Sequence, residues 1–244
     1  MSKGPSKPKS IEFPPPLRSQ ALGKVLVLRD AFTFAYKQWY QVAQTLVYVY
    51  SKYGDIPGPL KESAWGFSVS LIDTKLMYCQ MLQRLRSDLA KSRGRVTDGR
   101  WAIASHTKDF STISVVDKRN GTTIQLGAGA VPSDFVMVLK NRRSLGVEWS
   151  SVNFVGIFGK NLNDIRKKSA LQVFDGRYGE IIYEHDKEVR SLKTLKVYLE
   201  TVSTGKAILQ RFAFRFPYSR PDRKAFRLIG VIAFDASAAS VLAG

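Results

Sequence analysis

The chain has 244 residues, 44% of them hydrophobic and 24% charged, with 38 Lys and Arg against 20 Asp and Glu for a formal net charge of +18. That length and apolar content exclude a wholly disordered chain and suit one large domain or two small ones. The excess charge repels itself unless an outside partner answers it, and nucleic-acid phosphate and anionic lipid headgroups are the two common answers.

A single cysteine, Cys79, excludes an internal disulfide, and no apolar run approaches the ~18 residues of a spanning helix. Residues 1–23 hold Pro5, Pro8 and the run Pro14, Pro15, Pro16, with Lys3, Lys7, Lys9 and Arg18 opposed only by Glu12. Proline fixes φ and removes amide donors, so this segment is expected to be an extended, flexible basic tail. It lacks the apolar stretch of a secretory signal.

From Lys24 the pattern turns apolar. "KVLVLRDAFTFAYK" is rich in β-branched and aromatic residues and reads as a strand or bent strand pair. "QWYQVAQTLVYVYSKYG" places Trp39, Val42, Ala43, Leu46, Val47 and Tyr50 at helical spacing, with Gly54 as the stop and "DIPGP" as the breaker. "AWGFSVSLI" again favours a strand. "DTKLMYCQMLQRLRSDLAKSRGR" returns to helical period, with Leu76, Met77, Met81, Leu82, Leu85 and Leu89 on one face and Asp73 or Thr74 to cap its start. "TISVVDKRNGTTIQL" is a hairpin around Asn120-Gly121, the preferred type I′ pair. The group Phe135, Val136, Met137 and Val138 reads as a buried strand; exposed, it would enter a bilayer interface. The last third holds two strands around Ser203-Thr204-Gly205 and a final long strand.

Basic residues cluster along this frame. Arg84, Arg86, Lys91, Arg93, Arg95 and Arg100 face only Asp88 and Asp98, more charge than a helix dipole needs. Lys140, Arg142 and Arg143 form a second group, Lys167 and Lys168 a third, and Arg211, Arg215, Arg220, Arg223 and Lys224 a fourth. Alternation in "ILQRFAFRF" puts Arg211 and Arg215 on one face, which is expected to meet solvent or ligand. Scattered cations interleaved with aromatics suit sequence-blind phosphate contacts better than base readout.

Catalytic patterns are weak. His106 and His185 lack metal spacing, and His185 in "YEHDKE" reads as an exposed surface histidine. "QLGAGA" lacks the Lys-Ser/Thr of a phosphate loop and the full glycine spacing of a dinucleotide turn. The expectation is a protein that is not an enzyme and needs no cofactor or metal. A small basic nuclease is the weakest alternative, with Asp109, Asp117 and Glu148 as generic candidates.

Three stretches resemble the matrix proteins of rhabdoviruses, in particular the plant-infecting, nucleorhabdovirus-like type. One is the lysine-bearing tail with "FPPPL". Another is "QVAQTLVYVYSKYG" followed by a Gly/Pro turn and "KESAWGFSVSL". The third is "TLKVYLETVSTG" followed by "YSRPDRKAFRLIGVIAFDASAASVLAG". Residues 95–180 show no match. In the docking motif Pro14, Pro15, Pro16, Leu17, the leucine stands where recruitment of a WW domain needs tyrosine.

The elements and the resemblance together imply an α+β fold. A single core at 24–244 would pack a mainly antiparallel sheet against two or three helices, preceded by the disordered Pro-rich tail at 1–23. The resemblance implies a viral structural protein in the virion, the host nucleus and cytoplasm and the membrane periphery. It would condense the nucleoprotein–RNA complex through the basic clusters and self-associate. Lys3, Lys7, Lys9 and Arg18 would hold an anionic membrane, and the proline motif would recruit a host factor. The alternative of another class is a coat or movement protein binding single-stranded RNA.

Overall fold

A computed structural model describes residues 15–127, 135–204, 207–219 and 227–236. The fold is α+β with mainly antiparallel pairing, as the sequence leads one to expect. The described residues group into two compact units, with breaks after Val27, after Tyr78 and beyond Gly127.

The first unit contains β1 (Leu17–Arg18), the opening turns of α1 (Gln20–Tyr53) and the closing turns of α2 (Gly58–Lys91). β2 (Val96–Asp98), β3 (Trp101–His106), β4 (Ile113–Asp117) and β5 (Thr123–Leu126) complete it. Its sheet runs β1-β2-β3-β4-β5, with only the β1–β2 pair parallel. Leu22, Val25 and Leu26 of α1 and Leu82, Leu85 and Leu89 of α2 are buried at helical spacing, as are Val96, Ile113, Val115 and Leu126 of the strands.

"KVLVLRDAFTFAYK" and "AWGFSVSLI" are not strands but lie inside the 34-residue helices α1 and α2. Val25, Leu26, Phe32 and Ala35 of the first stretch and Ala64, Leu71 and Ile72 of the second bury one helical face, and packing overrides propensity. Residues 17–23, assigned to the tail with the prolines that precede them, pair with β2 and begin α1. Leu17 N–H donates to the Arg95 carbonyl at 2.8 Å, and Leu22 is fully buried.

The β4–β5 hairpin is present, but its turn is wider than a two-residue type I′ loop. Asp117 Oδ1 accepts from Arg119 N–H at 2.9 Å and Asn120 Oδ1 from Thr122 N–H at 3.0 Å, so side chains hold a longer loop in which Gly121 takes φ 73°.

The second unit takes the remaining parts of α1 and α2, with Gly54 (φ 72°) closing α1 as expected. It adds β6 (Val136–Asn141), β7 (Val147–Ser150), α3 (Asn153–Phe158), α4 (Leu162–Ile165), α5 (Ala170–Val173) and α6 (Gly176–Leu192). β8 (Lys196–Ser203), β9 (Ile208–Tyr218) and β10 (Leu228–Asp235) follow. The sheet is antiparallel throughout in the order β7-β6-β10-β9-β8, so the last of the described strands lies at its centre.

Alternation divides this sheet into two faces. Met137, Leu139, Phe212, Phe214, Phe216 and Phe234 pack with Phe32, Trp39, Leu46, Leu71 and Ile72 of the long helices. Trp39 Nε1 donates to Ser68 Oγ at 2.8 Å, which satisfies its polar end inside that core. Gly230 lies against Phe216, where a Cβ would approach the ring to 2.5 Å. The opposite face carries Val136, Val138, Ile229 and Val231, covered by Phe154, Phe158, Val173, Ile182 and Val189 of α3, α5 and α6. Phe135, Val136, Met137 and Val138 are buried, as the strand reading requires.

Candidate functional site

The helix-covered face of the second unit is not wholly apolar. Lys140 on β6, Glu200 on β8, Arg211 and Arg215 on β9 and Asp186 on α6 are all at least 95% buried there. The alternation predicted for β9 is correct, but its charged face lies under helices and away from solvent.

Arg215 is the hub. Its Nε and Nη2 donate to Glu200 Oε1 and Oε2, each at 2.9 Å, and its Nη1 donates to Asp186. Lys140 Nζ reaches the other oxygen of Asp186 at 2.5 Å. His185 Nδ1 lies 2.7 Å from Glu200 Oε1, and its ring stacks on Tyr198 at 3.7 Å. Tyr198 in turn donates to Glu188 at 2.8 Å. Arg215, Lys140, Asp186 and Glu200 thus answer one another's charge, as their removal from water demands.

The titration of these groups follows their surroundings. Burial works to raise the Glu200 carboxyl, yet Arg215 and His185 outweigh it and bring it down to about 2. Burial lowers the Lys140 ammonium, a change that the Asp186 carboxylate opposes. Burial and the bond to Glu188 both raise the Tyr198 phenol.

Beside this network lies a cavity of about 50 Å3. The sheet supplies Val136, Val138, Val202 and Val231, and the helices supply Phe154, Phe158, Val173 and Ile182. Lys140, Glu200, Arg211 and Arg215 also line it, giving it a charged portion of wall. Arg211 stands with its guanidinium carbon 5.9 Å from the Phe158 ring centre and donates to the Ala233 carbonyl at 3.3 Å.

Sequence reasoning assigned Lys140, Arg211 and Arg215 to phosphate binding; their burial removes them from any surface that could meet RNA. It also took His185 for a surface group, whereas its side chain is 21% exposed and bonded to Glu200. Asp186 was missed. It shares the buried stripe of α6 with Gly179, Ile182 and Val189, and an acid at an apolar position was the available signal.

The other predicted cations divide by environment. Arg84, Lys91, Arg93, Arg95, Arg143, Lys167 and Lys168 are exposed, as are Pro15, Pro16, Leu17 and Arg18. Arg86 donates to the carbonyls of Phe110 and Ser111 at 2.9 and 3.2 Å, so it closes a loop. Arg100 is tied to Asp117 through Nε at 2.7 Å, and Arg142 is half-buried. Lys3, Lys7, Lys9, Pro14, Arg220, Arg223 and Lys224 lie outside the described residues.

Of the generic nuclease acids, Asp117 is bonded to Arg100, Asp109 accepts from Ser111 N–H at 3.1 Å, and Glu148 accepts from Asn141 at 3.1 Å. Among the described residues no group of three or more His, Cys, Asp or Glu could hold a metal ion, and no helix is long and apolar enough to cross a membrane.

No family model matches the chain, and no curated protein matches it. Solved structures similar to part of it include the PAS domain of the fruit-fly ELK potassium channel, at 16% identity and TM-score 0.35, covering 43% of this chain and 88% of that one. The PAS domain of the Cronobacter turicensis RpfR quorum-sensing receptor, solved in complex with BDSF, has 7% identity and TM-score 0.36 over 44% of this chain and 98% of that one. The light-state dimer of the fungal blue-light photoreceptor Vivid has 8% identity and TM-score 0.35 over 48% and 87%. At these scores the likeness carries no argument about function.

Proposed function

We propose that the second unit is a small-molecule-binding module that acts by binding, without turnover. The cavity supports this reading: an interior space between sheet and helices, apolar over most of its wall and charged over the rest. That lining is the usual composition of a ligand pocket, although the space is smaller than the roughly 300–1,000 Å3 of a drug-sized site. Its ligand is a small apolar molecule with one polar end. The present volume holds only a few heavy atoms, so a larger ligand requires the short helices α3 and α5, which form part of the wall, to give way. A ligand that binds only the folded state stabilises it by about 2.7 kcal/mol at a hundred times its dissociation constant. Thermal melting with octanoate and with 1-octanol tests the proposal. The melting temperature should rise with one of them, and Val202→Phe should abolish the rise by filling the cavity. No rise with either probe counts against the reading.

A second reading is favoured by the exposed cations Arg84, Lys91, Arg93, Arg95, Arg143, Lys167 and Lys168. In it the chain is a non-catalytic assembly protein of the matrix kind, condensing a nucleoprotein–RNA complex and meeting an anionic membrane through charge. Co-sedimentation with RNA and with anionic liposomes across salt concentrations tests it. Each phosphate neutralised on a single strand adds about 0.7 to the salt slope. A flat salt response sinks it.

A further inference from the structure

The cations of the first unit are not spread evenly. Arg18 of β1, Lys24 of α1, and Arg84 and Lys91 of α2 line one open groove of about 390 Å3, with Ser19 and Asp88 also in its wall. Arg84, Asp88 and Lys91 are four and three residues apart, so they share one face of the helix. Asp88 accepts from Ser19 Oγ at 2.5 Å. Ser19 is itself buried, and its backbone N–H donates to the Thr97 carbonyl at 3.0 Å. Arg18 is held in register opposite Thr97. The frame that presents the cations is therefore fixed before any ligand arrives. Among the described residues none of the four cations enters an ion pair or a hydrogen bond.

We propose that this groove binds a soluble phosphoester bearing two linked phosphoryl groups. Four unpaired cations outnumber the one carboxylate, Asp88, which Ser19 already engages, so the groove keeps a net positive charge for a multiply charged anion to meet. Lysine and arginine are the ordinary partners of phosphate oxygens. The volume lies within the range of small-ligand sites, about 300–1,000 Å3. The cations converge on one concavity, whereas a polymer calls for a continuous track along its backbone. The proposal goes beyond both readings above, since it gives part of the exposed charge one place and one chemistry of its own.

Pyrophosphate is the probe. Titration calorimetry of the full chain should show one saturable site that weakens on adding salt. Replacing two cations with R84Q and K91Q together should weaken it about tenfold or more, as loss of charged hydrogen bonds does. The exposed pair K167Q and K168Q should leave it unchanged. No heat with the wild-type chain, or equal binding by the R84Q and K91Q variant, overturns the proposal. RNA co-sedimentation run in parallel separates the two ideas. RNA retained by wild type without any pyrophosphate binding overturns this site and leaves the broader surface standing. RNA retained by the R84Q and K91Q variant while pyrophosphate is lost supports the site. Phosphatidylcholine vesicles with and without phosphatidic acid test the other source of phosphate. Tighter binding to phosphatidic acid vesicles than to pyrophosphate overturns the soluble ligand.

Discussion

Arg215 holds Glu200 with two parallel hydrogen bonds of 2.9 Å inside a face where both side chains are at least 95% buried. A bidentate pair of this kind fixes orientation as well as charge. Removing one partner leaves the other charged and desolvated, which costs about 3–5 kcal/mol. Arg215→Met is therefore expected to lower the urea midpoint sharply. Arg215→Met combined with Glu200→Leu should recover part of the loss. Two single losses that merely add in the double variant would show that the pair is not coupled.

Acid should release the same contact. The Glu200 carboxyl is held at about 2 in the folded chain, below its ordinary value of 4.5. Its contribution to stability is therefore fully present above 4.5 and is lost as pH falls toward 2. Unfolding free energy measured across that window should decline, and Glu200→Gln should flatten the decline while lowering stability at neutral pH. An unchanged acid profile in the variant would refute the assignment.

Removal of residues 1–23 is expected to destabilise the chain. The cut takes away β1, the buried side chains of Ala21 and Leu22 and the Ser19–Asp88 bond. Loss of one buried leucine alone costs about 2–5 kcal/mol. Thermal melting of the truncated chain should show a clear drop; an unchanged melting temperature contradicts the placement of these residues.

Phe34 is 63% exposed in the interior of α1, so a substitution there tests the backbone more than the packing. Proline at this position removes a helical hydrogen bond and costs about 3 kcal/mol. Phe34→Pro should lose helical circular dichroism and stability, whereas Phe34→Ala should lose little of either. Equal behaviour of the two variants would argue for an extended segment.

Much of the fold was legible because period and alternation are local. The helical spacing from Trp39 to Tyr50 and its glycine stop appear where the sequence puts them, as do the strands of the last third. Residues 24–37 were misread because β-branched and aromatic side chains pointed to a strand. The spacing of Leu22, Val25 and Leu26, and of Phe32, Ala35 and Trp39, already fitted a helix. The site was harder to see. Alternation placed Arg211 and Arg215 on one face, but only tertiary structure tells whether water or a helix covers that face. The partner acid Asp186 lies 29 residues before Arg215, a pairing that no local pattern announces.

The two faces of β9 bear on how the chain can change its length. Phe212, Phe214 and Phe216 meet one layer and Arg211 and Arg215 the other. Inserting or deleting one residue before Arg211 would turn every phenylalanine toward the ionic layer and both arginines into the aromatic one. No single replacement elsewhere repairs such an exchange. An insertion of two residues restores every orientation and shifts only the pairing along the strand. Viable length changes upstream of these positions are therefore expected in even steps, unless the loop before β9 absorbs them.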